Sequence, residues 1–273
     1  MVPLSFRVRR AAALSLTGIS VAIMAVAVWI TESRLGHGSV VSGSALGACV
    51  LLLMLLGVRR RLPIWPLGSV STWTQIHIYT GLFAGGVYAL HVPSLIGGGR
   101  FESGLSVLFL SVTASGVYGL LASRTLPKRM TALPNQTRFE QVRWHRSQIA
   151  TAAERLLEGL SEPTAVSVLG SYYRQDLQAF FSSRPGLNYL ILPHGSRRRK
   201  LLTGLQQIDR YLENEGRKAA GRLAGLIRRK DDLDYQYALQ LQLRGWVLVH
   251  SVLSLMLLIS SVVHVALVWR FLG

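Results

Sequence analysis

Hydrophobic positions in this chain gather into long unbroken runs, unlike the alternation of a half-buried strand or the stripe of a soluble helix. Five stretches contain no Asp, Glu, Lys or Arg: residues 11–31, 38–58, 62–99, 103–123 and 245–269. Each is long enough to cross a bilayer, which takes about 20 apolar residues in a helix. The third run is over-long. Pro63 and Pro66 near its start and Pro93 near its end predict a helix over 71–91, flanked by interfacial turns. The expected fold is an all-α membrane bundle of five spans.

Between spans four and five the pattern changes. "RFEQVRWHRSQIATAAERLLEGL" reads as a helix. "KLLTGLQQIDRYLENEGRKAAGRLAGLIRRK" reads as helical too, with Leu201, Leu205, Ile208 and Leu212 on one face. "TAVSVLG" and "LNYLILP" are short, apolar and bounded by turn residues, and predict strands. The expected organisation is spans one to four over 1–123, a small α/β insert over 124–244, and span five over 245–273.

Composition agrees with a multi-pass membrane chain. Half of the 273 residues are hydrophobic and 16% are charged. Charge adds an orientation. Lys and Arg outnumber Asp and Glu by 30 to 13. In a membrane chain such an excess marks cytoplasmic loops and lipid headgroup contact, so nucleic acid is not expected as a partner. The cations are unevenly spread. Arg7, Arg9 and Arg10 precede span one, Arg59, Arg60 and Arg61 follow span two, and the insert holds 21 Lys and Arg against 11 Asp and Glu. The other two links carry one pair each, Glu32 with Arg34 and Arg100 with Glu102. The positive-inside rule then puts the N-terminus in the cytoplasm and the C-terminus outside a bacterial cytoplasmic membrane. The first run is too long for a signal-peptide core and no small-residue cleavage site follows it, so it is expected to be retained. The basic turn "HGSRRRK" reads as membrane-surface contact, since no glycine-rich phosphate loop accompanies it. The single cysteine, Cys49, excludes an internal disulfide, a thiolate-held iron–sulfur cluster and a CxxCH haem attachment, and reads as packing.

Candidate chemistry lies in the histidines. Span three carries His77 and His91, and span five carries His250 and His264. Each pair is separated by fourteen positions, and no other span has a histidine. Fourteen residues fall about 40° short of four full turns, so both members of a pair face one side, about 21 Å apart along the axis. One antiparallel span separates spans three and five, so the two run parallel. His77 and His250 then share a level near the cytoplasmic side, and His91 and His264 a level near the outer side. Each level offers two imidazoles across a gap, as a haem iron with two axial ligands requires. These four histidines are the expected metal ligands and two haem b groups the expected cofactors. Small residues would line the slot: Gly81, Gly85 and Gly86 from span three, and Ser111, Ser115, Gly116 and Gly119 from span four. Haem propionates would seek Arg61, Trp73, Arg244 or Trp246 at the inner level and Arg100 or Arg270 at the outer. The same aromatic and basic residues also suit plain interfacial anchoring. A packing histidine or a proton relay are the alternatives, but neither explains one spacing on two parallel spans. Zinc would need three or four clustered ligands. His37, His145 and His194 lie outside the spans and carry no expected role.

The H-x13-H pair on each of two parallel helices resembles the dihaem cytochrome b of cytochrome bc complexes. It also resembles the ferric-reductase-like transmembrane domain of NADPH oxidases, whose pairs likewise fall on the third and fifth spans. The likeness covers spans three to five. "RRKDDLDYQYALQLQLRGWVLVH" resembles what precedes the last span of some bacterial b-type membrane subunits. The resemblance implies transmembrane electron transfer in a membrane oxidoreductase complex, with other redox subunits, a cytochrome c or an iron–sulfur protein as partners and a quinone as a further cofactor. It does not extend to a flavin and nicotinamide domain, nor to a quinol-site string of PEWY type. A stand-alone quinone-coupled reductase and a non-redox histidine-relay transporter are the rival functions.

Overall fold

A computed structural model describes residues 6–61 and 68–272. The turn expected at Pro63 and Pro66 lies outside the described residues. Among those described there is no β-strand, and the chain forms two compact units, 1–118 with 248–273, and 119–247.

The first unit is built from α1 (Phe6–Ser33), α2 (Gly38–Arg61), α3 (Val70–His91), the first part of α4 (Arg100–Thr131) and the last part of α10 (Asn214–Leu272). Four of these five helices, α1, α2, α4 and α10, are long and apolar enough to cross a membrane. At 22 residues α3 is long enough to span but less apolar, since it carries Thr72, Thr74, Gln75, His77 and His91. It packs against both α1 and α2, so part of its surface meets protein and need not be apolar. The opposite holds for α1 and α10. Leu16, Ile23 and Trp29 on α1, and Leu248, Ile259 and Val262 on α10, are exposed. Large apolar side chains exposed along a helix in this way suit lipid or another apolar partner.

Local sequence sets the limits of α3. Ser69, extended at φ −74° and ψ 149°, accepts a hydrogen bond from the Thr72 amide on its side chain and caps the N-terminus. At the other end the Val92 amide closes the last turn on Tyr88, and Pro93 has no amide to continue it. Tyr88 then donates its hydroxyl to Leu95 O at 2.7 Å and stacks on Phe109 of α4 at 4.2 Å. These contacts fix the depth at which His91 sits.

The second unit contains the ends of α4 and α10 with α5 (Val142–Glu158), α6 (Pro163–Tyr172), a π turn (Tyr173–Leu177), α7 (Gln178–Ser182), α8 (Leu187–Ile191) and α9 (Ser196–Asp209). Here the expected α/β insert is corrected. "TAVSVLG" lies in α6, and "LNYLILP" begins as α8. The reason is visible in the packing. Ala165, Leu169, Tyr173 and Leu177 recur every four residues and are all buried, a helical stripe that runs past the seven residues read as a strand. Pro163 suits a first helical position, where its missing amide costs nothing. Around this stripe close Ile149 and Ala153 of α5, Leu201 and Leu205 of α9, and Leu223 and Ile227 of α10.

Two further boundaries differ from expectation. The basic helical segment after residue 200 breaks between α9 and α10. The Glu162 carboxylate accepts from the Glu213 and Gly216 amides and caps the new helix. From Asn214, α10 continues through residue 245, with no break before its apolar part. A charged interior secures the middle of α10. Lys230 is 1% exposed and pairs with Asp234 at 2.5 Å, while Arg146 reaches the other Asp234 oxygen at 2.6 Å. Near residue 119 the Trp246 indole lies directly over Gly119, where a Cβ would collide with the ring. Gly119→Ala is expected to lower stability by about 1–3 kcal/mol, the usual cost of overpacking, as checked by thermal melting of the detergent-solubilised chain.

Candidate functional site

The site is assembled in the first unit from four helices. Two carry the imidazoles, α3 with His77 and His91 and α10 with His250 and His264, and all four rings are half-buried. The His77 and His250 ring centroids lie 6.4 Å apart, with the planes at 72°. At the first level the two histidines therefore meet across the two helices, one from each. At the second level the His264 ring lies near-parallel to Phe101 at 6.4 Å.

Neighbouring helices orient the rings. His77 Nδ1 lies 3.2 Å from Leu53 O of α2. A carbonyl oxygen only accepts, so this bond places the His77 proton on Nδ1 and the lone pair on Nε2. His91 Nδ1 lies 3.0 Å from Ser42 Oγ of α2, and His250 Nδ1 lies 2.6 Å from Ser115 Oγ of α4. Both hydroxyls are also within donating distance of a carbonyl in their own helix, Gly38 O for Ser42 and Val112 O for Ser115. With its proton on that carbonyl, each serine accepts from Nδ1–H. Metal-bound histidines likewise give Nδ1–H to a carbonyl or hydroxyl.

The glycines separate into two groups. A Cβ at Gly81 or Gly85 would meet nothing within 4 Å, so both positions face open space. Gly116 lies against His250 Cε1, which a Cβ would meet at 3.6 Å. Gly86 instead receives Val21 of α1, and Gly119 receives Trp246, so these two serve helix packing. Gly43 of α2 was not singled out by its sequence. A Cβ there would come within 3.1 Å of His91 Cε1, so glycine leaves room for that ring. Ser42 was missed as well, although a Ser–Gly pair in an apolar span is a usable signal.

The expected propionate partners are dispersed. Arg100 and Arg270 are exposed, and the Arg61 side chain lies outside the described residues. Arg244 pairs with Glu140 at 2.7 Å and covers the Phe139 ring at 4.1 Å, so its charge is directed into the second unit. Trp73 is half-buried, and Trp246 packs on Gly119. Among the described residues no three His, Cys, Asp or Glu side chains gather as a metal cluster. No protein family, characterised protein or solved structure matches the chain.

Proposed function

We propose that this chain is a five-span membrane cytochrome subunit that holds two b-type haems and passes electrons across a bacterial cytoplasmic membrane, with its N-terminus inside. One observation carries the reading: His77 and His250 face each other at 6.4 Å between ring centroids, each with Nδ1 engaged by a neighbouring helix. Two metal–imidazole bonds of about 2.0 Å, with the half-width of each ring added, come to roughly 6 Å between centroids. The open space at Gly81 and Gly85 supports the same reading, since a flat macrocycle needs helices without side chains at its faces.

His77 and His250 would hold the inner group and His91 and His264 the outer. When bound, the haem iron supplies one-electron transfer. The protein's contribution is to fix the ligands. Leu53 O, Ser42 Oγ and Ser115 Oγ would hold the imidazole tautomers and raise the basicity of the nitrogens that bind iron. The apolar surroundings would tune the potential of a bound haem. The α3 register puts the levels about 21 Å apart along the axis, which spaces them across the apolar thickness. Electrons would enter and leave through a quinone pool, other redox subunits, a cytochrome c or an iron–sulfur protein.

Electron paramagnetic resonance tests the ligand set. The oxidised protein should show low-spin ferric signals of bis-imidazole ligation. High-spin ferric iron alone would overturn it. Ser115→Ala should retain both haems and raise one midpoint potential by tens of millivolts, because a less basic imidazole favours ferrous iron. A redox titration of the variant checks this.

A further inference from the structure

The second unit leaves its largest aliphatic side chains on one short segment uncovered. Leu187, Ile191 and Leu192, in α8 and just after it, are 77%, 68% and 74% exposed. Exposed cations bracket them, Arg184 before and Arg197, Arg199 and Lys200 after. The backbone beneath is firmly held. Gln242 of α10 donates its side-chain amide to Leu190 O at 2.6 Å and Ile191 O at 3.0 Å. Tyr189 donates its hydroxyl to Asp231 at 3.3 Å, and burial with that carboxylate nearby pushes the phenol up, so it stays protonated. Arg198 ties the following turn to Asp231 and Asp232. The segment is thus a fixed platform with its apolar side chains outward.

Its position along α10 indicates what covers it. Gln242 stands one turn before Gly245, where the charge-free part of α10 begins. The Gln242 bonds therefore hold α8 at the level where α10 enters its apolar stretch. Exposed apolar side chains flanked in sequence by exposed cations at that level match an interfacial lipid contact, with aliphatic groups at the acyl boundary and cations on the phosphates. We propose that α8 is an interfacial anchor. Leu187, Ile191 and Leu192 insert into the leaflet that α10 enters, and Arg184, Arg197, Arg199 and Lys200 bind the phosphates of anionic lipids. The inference rests on the apolar part of α10 crossing the membrane and is independent of haem.

Spin labels on single cysteines test it in the full chain. Cys49→Ala provides the background for Leu187→Cys, Ile191→Cys, Leu192→Cys, Tyr211→Cys and Val262→Cys, each in nanodiscs of phosphatidylethanolamine and phosphatidylglycerol. Labels at 187, 191 and 192 should collide several-fold more with oxygen than with a water-soluble nickel chelate, and the label at 211 should show the reverse. Nickel preference at 187, 191 and 192, matching 211, would overturn the anchor. Nickel preference at 262 would remove the span on which the anchor rests, while leaving haem content to be judged separately. In phosphatidylcholine discs nickel access at 191 and 192 should rise, and unchanged access would overturn the role of the four cations.

Discussion

His250→Ala is expected to leave one haem per chain where the unaltered protein carries two. The substitution removes an imidazole 6.4 Å from His77 and the group that Ser115 orients, but touches neither His91 nor His264. Those two lie about 21 Å away along the helix, too far to feel a single lost ligand. The haem-to-protein ratio should halve and the reduced α-band should lose half its amplitude, with helix content by circular dichroism unchanged. Added imidazole should restore the second haem by filling the cavity. Retention of both haems, or loss of both, would contradict the pairing across α3 and α10.

Asp234→Ala should have the largest effect on stability. Its carboxylate serves Lys230 at 2.5 Å and Arg146 at 2.6 Å, and Lys230 is almost fully enclosed, against the Phe180 ring and Ser183 O. Removing the acid leaves a buried ammonium without its counter-charge, at a cost of about 3–5 kcal/mol. That is a large share of the roughly 5–15 kcal/mol that holds a typical domain together. Rapid proteolysis in the second unit at a temperature where the parent resists is the expected readout. Adding Lys230→Met should recover part of the loss, because it removes the stranded charge. A variant as resistant as the parent would contradict the coupling.

The histidine ruler was legible because helical period and rise are fixed by the backbone, so fourteen positions specify a face and a spacing whatever lies between. The long apolar runs were legible for a similar reason, as helix is the cheapest way to satisfy backbone hydrogen bonds in lipid. What orients the rings was less legible. Leu53 contributes only its backbone carbonyl, which no side chain announces, and Ser42 and Gly43 matter through packing that sequence order does not contain. The strand readings failed on length. Val166 and Val168 alternate over a window too short to show that Ala165, Leu169, Tyr173 and Leu177 form the buried stripe. The continuity of α10 was hidden because the helical reading stopped at Lys230, whose burial against Asp234 carries the helix onward.

The most direct test of the central claim is a spectrum with a stoichiometry. The purified chain, solubilised in mild detergent, should be red, with a Soret band, a reduced α-band of b type and two haems per polypeptide by pyridine haemochrome. A colourless chain of full helical content, unable to bind added haem, would contradict it.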